Sequence, residues 1–271
     1  MKIEIEVLGR RYEVDWRRPV ELAIPLDFHG DQPRAFGLER AMSQPVEAGG
    51  FVGDTRRGGS ANCESLEMTP HANGTHTECV GHLTRERIWV GDAVSEPLLA
   101  ATLLTVRLTS FADTDDVYRG VSDSSDLVVC SAALDQSYEN LQPPEGFSTA
   151  VIVRLEADFE PLADHSGTNP PYFTDEAIRW LRQKSCEHLL VELPSIDRES
   201  DGGILPNHHF FFGVYPDKRA DAQARRRTVT EMITVPADAV DGPYALSLRF
   251  PRFQLDAAPS RPVIYSVATR G

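Results

Sequence analysis

The sequence predicts a strand-rich α/β fold with few helices. Three observations carry this. Short apolar runs, alternating or continuous, recur along the chain between Gly, Pro and polar residues. One stretch alone reads as a strong amphipathic helix. The regular strand–helix alternation of a doubly wound fold is absent. The chain has 271 residues, 41% hydrophobic and 25% charged, enough to bury a substantial core. No long Pro/Gly/Ser linker divides it, so residues 1–271 are expected to form a single domain.

Taken in order, Ile3 to Val7 and Tyr12 to Val14 alternate around Gly9-Arg10-Arg11, which predicts a β-hairpin extension within residues 1–20. Glu21 to Pro25 is a third short apolar run. From Asp27 to Gly59 the chain is rich in Gly, Pro and charge, a long irregular segment of the kind that forms lids or binding loops. Leu98 to Leu108 is continuously apolar, and Leu127 to Cys130 and Ala150 to Leu155 are further buried strands. Thr174 to Lys184 is the helix. Thr174 suits its N-cap, Asp175 and Glu176 suit the positive end of its dipole, and Ala177, Ile178 and Leu181 form its buried face. Leu189 to Leu193, Phe210 to Tyr215, Val229 to Val235 and Tyr244 to Phe250 read as strands of the C-terminal half. Asp217 to Thr228 reads as a polar, exposed excursion.

The formal net charge of −14 argues against a nucleic-acid surface, which needs clustered Lys and Arg, and against an anionic membrane. The basic run Arg225-Arg226-Arg227 is read as a solvated loop. The N-terminus alternates where a signal peptide would be continuously apolar, and no apolar stretch is long enough to cross a bilayer. Cys63, Cys79, Cys130 and Cys186 form no CxxC, so reduced thiols in a cytoplasmic protein are expected. No GxGxxG, GxxxxGK[ST] or GxSxG marks nucleotide binding or a serine nucleophile.

The chemistry concentrates in HANGTHTECVGH, residues 71–82, which holds three of the eight histidines and a glutamate. In an extended segment His76 and Glu78, two residues apart, point to the same side. The turn signal Asn73-Gly74 allows the chain to fold back and bring His71 towards His76, and His82 lies four residues beyond Glu78. A mixed imidazole–carboxylate set suits Zn²⁺, Mn²⁺ or Fe²⁺ and differs from the all-Cys/His closure of a structural zinc site. With fewer than four protein ligands a position stays open for water, whose pKa a cation can lower to about 7. Hydrolysis of a carbonyl compound is the chemistry expected. A lone loop histidine would more often be structural; the cluster is what distinguishes this stretch. His208-His209 is a second candidate pair. Cys79 fits simple packing better than nucleophilic attack.

At these residues the chain resembles the cyclase family of metal-dependent amide hydrolases, which includes kynurenine formamidase and isatin hydrolase, with the signature HxGTHxDxPxH. Gly74-Thr75-His76 matches GTH, Glu78 takes the Asp position and His82 the last His. Ala177 to Leu181, Leu190 to Asp197, Leu205 to His209 and Asp256 to Arg261 follow the family's later segments in order, so the likeness runs from about Leu22 to the C-terminus. The resemblance implies a swivelling β/β/α-type fold, a divalent metal (Zn or Mn), a small-molecule substrate and a homo-oligomer, dimer or tetramer. It places His71, His76, Glu78, His208 and Glu231 as metal ligands, with His82 and Glu78 moving protons.

The chain departs from the signature in three ways. His71 is one residue further from GTH (HxxGTH), Glu78 is one methylene longer than Asp, and Val80 replaces Pro. Kynurenine formamidase activity itself is therefore not expected, and cleavage of a C–N bond in a related formamide, cyclic imide or lactam is. The competing readings are a binding protein that kept the fold without the chemistry, and a metal-dependent lyase or ester hydrolase. Phe28, Phe36, Trp89, Tyr172 and Phe210 are aromatic candidates for a planar substrate, and Arg56 and Arg57 for a substrate carboxylate, each weighed against core packing or a solvated loop.

Overall fold

The computed structural model describes residues 3–156, 159–214 and 219–269. Eleven strands form one sheet: β1 (Ile3–Val7), β2 (Arg10–Val14), β3 (Val20–Glu21), β4 (His76–Cys79), β5 (Leu99–Val106), β6 (Ala150–Leu155), β7 (His188–Val191), β8 (Thr228–Glu231), β9 (Gly242–Ser247), β10 (Ala257–Pro259) and β11 (Val263–Thr269). Hydrogen bonding orders them β1-β2-β11-β9-β5-β6-β7-β8-β4-β10, with β3 beside β11. The described helices longer than one turn are α1 (Ser131–Leu141), α2 (Asp175–Gln183) and α3 (Pro206–Phe212).

The N-terminal hairpin forms as expected, with Val7 opposite Arg10, and β2 adds to the C-terminal strand β11. The centre of the sheet corrects the sequence reading. Strands β5, β6, β7 and β8 are mutually parallel, and α1, α2 and α3 lie in the three crossovers, so strand and helix do alternate there. The pattern was hidden because α1 fully buries only Leu134 and α3 is seven residues long, too short to show a 3.6-residue period.

Strand alternation sends side chains to two cores. On the helix-bearing face Leu104, Val106, Val151, Val153, Leu189 and Val191 pack with Leu134, Ile178, Leu181, Phe211 and Phe212. On the opposite face Leu103, Ile152 and Leu190 meet Leu22, Ile233, Leu246 and Ile264. Burial on both faces explains why these parallel strands read as continuous apolar runs.

Helix α2 starts as read, with Thr174 Oγ1 accepting from Ala177 N at 3.2 Å. The run from Phe210 is not a strand; it completes α3. Pro206 at the first turn and Gly213, φ +73°, at the end are helix start and stop signals that outweigh the aromatic run. Tyr215 lies outside the described residues. The strand read over Val229 to Val235 ends at Glu231, because Met232 adopts φ +52°. The segment from Asp27 carries two short strand pairs, Met42–Pro45 with Glu64–Glu67 and Glu47–Ala48 with Phe51–Val52. Among residues 225–227, Arg225 and Arg226 are surface ion-pair partners, but Arg227 is buried and donates to Phe212 O at 3.1 Å, so the run is not simply a solvated loop.

Candidate metal centre

The site forms where β4 lies antiparallel between β8 and β10. Register does most of the placement. His76 stands opposite Glu231 of β8, and Glu78 stands opposite Ala257 of β10. His76 and Glu78 therefore share one face, with Glu231 beside them: His76 Nε2 lies 3.3 Å from Glu231 Oε2. His76 Nδ1 donates to Gly74 O at 3.0 Å, which leaves Nε2 with its lone pair facing the site.

His71 reaches the same place despite its extra residue. Pro70–Ala72 forms a tight 3₁₀ turn, and Gly74 takes φ +104°, a backbone conformation that glycine adopts without strain. His71 Nδ1 then lies 3.1 Å from Glu78 Oε2.

His208 arrives from the other side on α3. Asp197, in the loop before the helix, accepts from Asn207 N at 2.9 Å and His208 N at 3.0 Å, so it caps the helix. The same carboxylate accepts from His208 Nδ1 at 2.6 Å, while Tyr118 Oη donates to it at 2.9 Å. With Nδ1 committed as donor, His208 Nε2 points at Glu78 Oε1, 3.2 Å away, and Glu231 Oε1, 3.5 Å away. A carboxylate behind a histidine in this way fixes tautomer and ring orientation for a ligand.

The result is a pair of carboxylates shared between two imidazole sets. Glu78 turns Oε2 to His71 and Oε1 to His208; Glu231 turns Oε2 to His76 and Oε1 to His208. Two groups able to hold a cation follow, His71/His76/Glu78 and Glu78/His208/Glu231, and a third, His71/His82/Asp256, lies at the rim; in each the ligand atoms lie within 4.8 Å of one another. The fit to a cation rests on orphaned atoms. His76 Nε2 and Glu78 Oε1 are buried and make no hydrogen bond, and two glutamates are buried together, an arrangement that is costly without positive charge between them.

The electrostatics agree. Burial alone would raise Glu78, yet the facing His82, His208 and His71 hold it well below the usual carboxylate range. Burial also works to raise Glu231, and the adjacent His208 and His76 imidazoles bring it down. Burial would lower His71 and His208. Asp256 and Glu78 instead carry His71 up to about 10, and Glu78, Asp197 and Glu231 hold His208 well above its ordinary value.

His82 sits at the rim, half-buried. Its Nδ1 lies 3.2 Å from Asp256 Oδ2, and its ring stands 4.3 Å from that of His71, centre to centre. Asp256 and Asp197 were not singled out in the sequence, although the segments carrying them were; the Asp-Ala-Ala-Pro and Pro-Ser-Ile-Asp runs were the available signal. His209 belongs to none of the groups able to hold a cation. Cys79 is buried, and burial pushes its thiol up to about 12, so it packs rather than attacks. Tyr172 is wholly buried and donates to Asp126. Phe210 lies beneath the Arg119 and Arg179 guanidiniums. Arg56 pairs with Asp54 and Arg57 with Glu47 on the surface.

A strand-rich sheet with crossover helices on one face carries a histidine–glutamate cluster able to hold a divalent cation. The chain belongs to the cyclase family: the model described as Putative cyclase matches residues 20–198. Among solved structures, a "predicted metal-dependent hydrolase" from Bacillus stearothermophilus is 13% identical with a TM-score of 0.56, covering 92% of this chain and 98% of that one. An isatin hydrolase bound to the product analogue thioisatinate is 12% identical with a TM-score of 0.56, covering 93% of each chain. Isatin hydrolase A from Labrenzia aggregata is 15% identical with a TM-score of 0.52, covering 93% of this chain and 94% of that one. At such identities the likeness is one of fold. Among curated proteins none matches the sequence. No helix among the described residues is long and apolar enough to cross a membrane.

Proposed function

We propose that this protein is a metal-dependent hydrolase that cleaves the C–N bond of a small formamide, cyclic imide or lactam. The observation that carries the reading is the division of Glu78 and Glu231 between two imidazole sets. His71 Nδ1, His76 Nε2 and His208 Nε2, with the two glutamates, would hold Zn²⁺ or Mn²⁺, and the shared carboxylates favour a pair of ions over one. A cation so held acts as a Lewis acid, polarising a carbonyl and lowering the pKa of water so that a nucleophile exists at neutral pH.

The chain's own residues supply the rest. Both Glu78 oxygens face imidazoles, so its carboxylate would help to hold the cation rather than act as a free base. His82 donates Nδ1–H to Asp256, which leaves Nε2 at the rim able to take a proton from an attacking group and return it to the leaving nitrogen. His71, His82 and Asp256 are the partly exposed members of the cluster, so substrate enters on their side, while the buried His76, Glu78, His208 and Glu231 form the floor. The convergence of His71, His76 and Glu78 disfavours the binding-protein reading, which their separation would have supported.

The reading extends to the rest of the molecule: residues 1–271 act as one domain, in the cytoplasm, as a homo-oligomer. Metal analysis of the purified protein and assay against N-aryl formamides, isatin-like imides and lactams test it. We expect stoichiometric Zn or Mn and turnover that drops by about two orders of magnitude or more in His76→Ala. Full metal loading with no cleavage of any of these bonds would overturn it.

A further inference from the structure

We propose that Asp256 is a positioning residue that sets, through one carboxylate oxygen, the orientation of both His71 and His82. The proposal deepens the hydrolase reading and rests on it.

Asp256 Oδ2 lies 2.9 Å from His71 Nε2 and 3.2 Å from His82 Nδ1. A carboxylate can only accept, so each nitrogen donates. His71 is thereby left to present Nδ1 to Glu78, and His82 to present Nε2 away from Asp256. The two rings stand 4.3 Å apart at a 32° tilt, held as a pair by their shared acceptor. Asp256 is not itself a ligand of the main cluster. His71 meets Glu78 with one nitrogen and Asp256 with the other, so the two carboxylates lie on opposite sides of the imidazole. The atoms of His71, His82 and Asp256 are close enough together to hold a cation, but the hydrogen bonding of both imidazoles to the one carboxylate oxygen makes the grouping an outer support.

The fold places this carboxylate with little freedom. Asp256 directly precedes the edge strand β10, and Cys79 N donates to its carbonyl oxygen at 2.9 Å. That bond pins Asp256 beside the end of β4. Gly81 lets the turn leading to His82 pass close by: a Cβ there would come within 2.2 Å of Ile88 O and 3.3 Å of Asp256 Cβ. Asp256 is thus fixed by its backbone, half-buried at the rim, with its oxygen between two histidines of different tasks. Through one residue the strength of cation binding at His71 is tied to the proton-transfer readiness of His82.

The test uses the zinc-loaded protein. Long-range ¹H–¹⁵N spectra report which imidazole nitrogen carries the proton, and a competition titration reports zinc affinity. In the native protein His82 is expected as the Nδ1–H tautomer. In Asp256→Ala it shifts predominantly to Nε2–H, zinc affinity falls about 10- to 100-fold, and at saturating zinc kcat falls with KM changed less than about threefold. Asp256→Asn keeps the shape and one acceptor oxygen; it is expected between the two, and serves for the same measurements should the alanine variant not fold. Unchanged zinc affinity together with an unchanged His82 tautomer in either folded variant overturns the proposal. Zinc binding with no turnover in the native protein would instead overturn the hydrolase reading, and the tautomer and affinity readouts would still decide the role of Asp256.

Discussion

His71 shows how strongly single residues are coupled in this cluster. Its imidazole lies between Glu78 and Asp256, and they carry it up to about 10 against the opposing effect of burial. In the metal-free protein it therefore bears a proton at neutral pH. Its folded value lies above the ordinary 6.5, so its contribution to stability is full below about pH 6.5 and is lost as pH rises through about 10. A cation must displace that proton. Two opposite trends follow: chelator-stripped protein loses stability between pH 7 and pH 10, whereas metal affinity rises over the same range. Calorimetry in buffers of different ionisation heat should find about one proton or more released per site filled at pH 7. Uptake with no proton release would mean that His71 keeps its Nδ1 proton and does not ligate the cation.

At the scale of elements, α3 depends on its two ends. It is too short to be stable alone. Asp197 accepts from the first-turn N–H groups. At the other end Arg182 Nη1 donates to Phe210 O at 3.1 Å and Phe211 O at 2.6 Å, and Arg227 Nη1 donates to Phe212 O. Cationic donors at a helix C-terminus satisfy carbonyls that would otherwise be orphaned and complement the dipole. Arg182→Met should cost about 1.5–3 kcal/mol in urea unfolding, and zinc binding should weaken because His208 rides on this helix. A stability loss with unchanged zinc affinity would show that Asp197 alone positions His208. The same helix was the clearest misreading of the sequence. Its start and stop residues, Pro206 and Gly213, were visible, but the Phe210-Phe211-Phe212 run carries a strand-like local signal. The cap that settles the matter comes from Asp197, outside the segment. By contrast β6 and α2 were legible because their own residues decide them: a β-branched apolar run from Ala150 to Val153 after the polar Ser148-Thr149, and a threonine cap ahead of acidic residues.

Over the whole molecule, the sheet converts distant sequence into one site. β4 enters the sheet between β8 and β10, so that residues near 76, 231 and 256 become neighbours, and the β7–α3 connection brings His208 over them. The stretch from His71 to His82 announced the chemistry, because close spacing of histidine and glutamate is a local feature. His208 stood out as one of an adjacent histidine pair, but its assignment to this site, like that of Glu231, came only through likeness to a family, since nothing local marks a β8 glutamate as the partner of His76. Asp256 was legible only as the first residue of a family-like segment, not as a site residue: its place at the site depends on the backbone bond to Cys79 and the turn at Gly81. The parallel centre was likewise hidden, because pairing is a property of strands and not of their residues. Glu78 and Glu231, shared between two imidazole sets, would together hold divalent cations. Anomalous diffraction at the metal edge, from crystals grown with zinc or manganese, is the decisive measurement. Two peaks are expected flanking Glu78, one within bonding distance of His71 and His76 and the other within bonding distance of His208 and Glu231. Ordered His71, His76 and His208 side chains with no peak near either glutamate at saturating metal would contradict it.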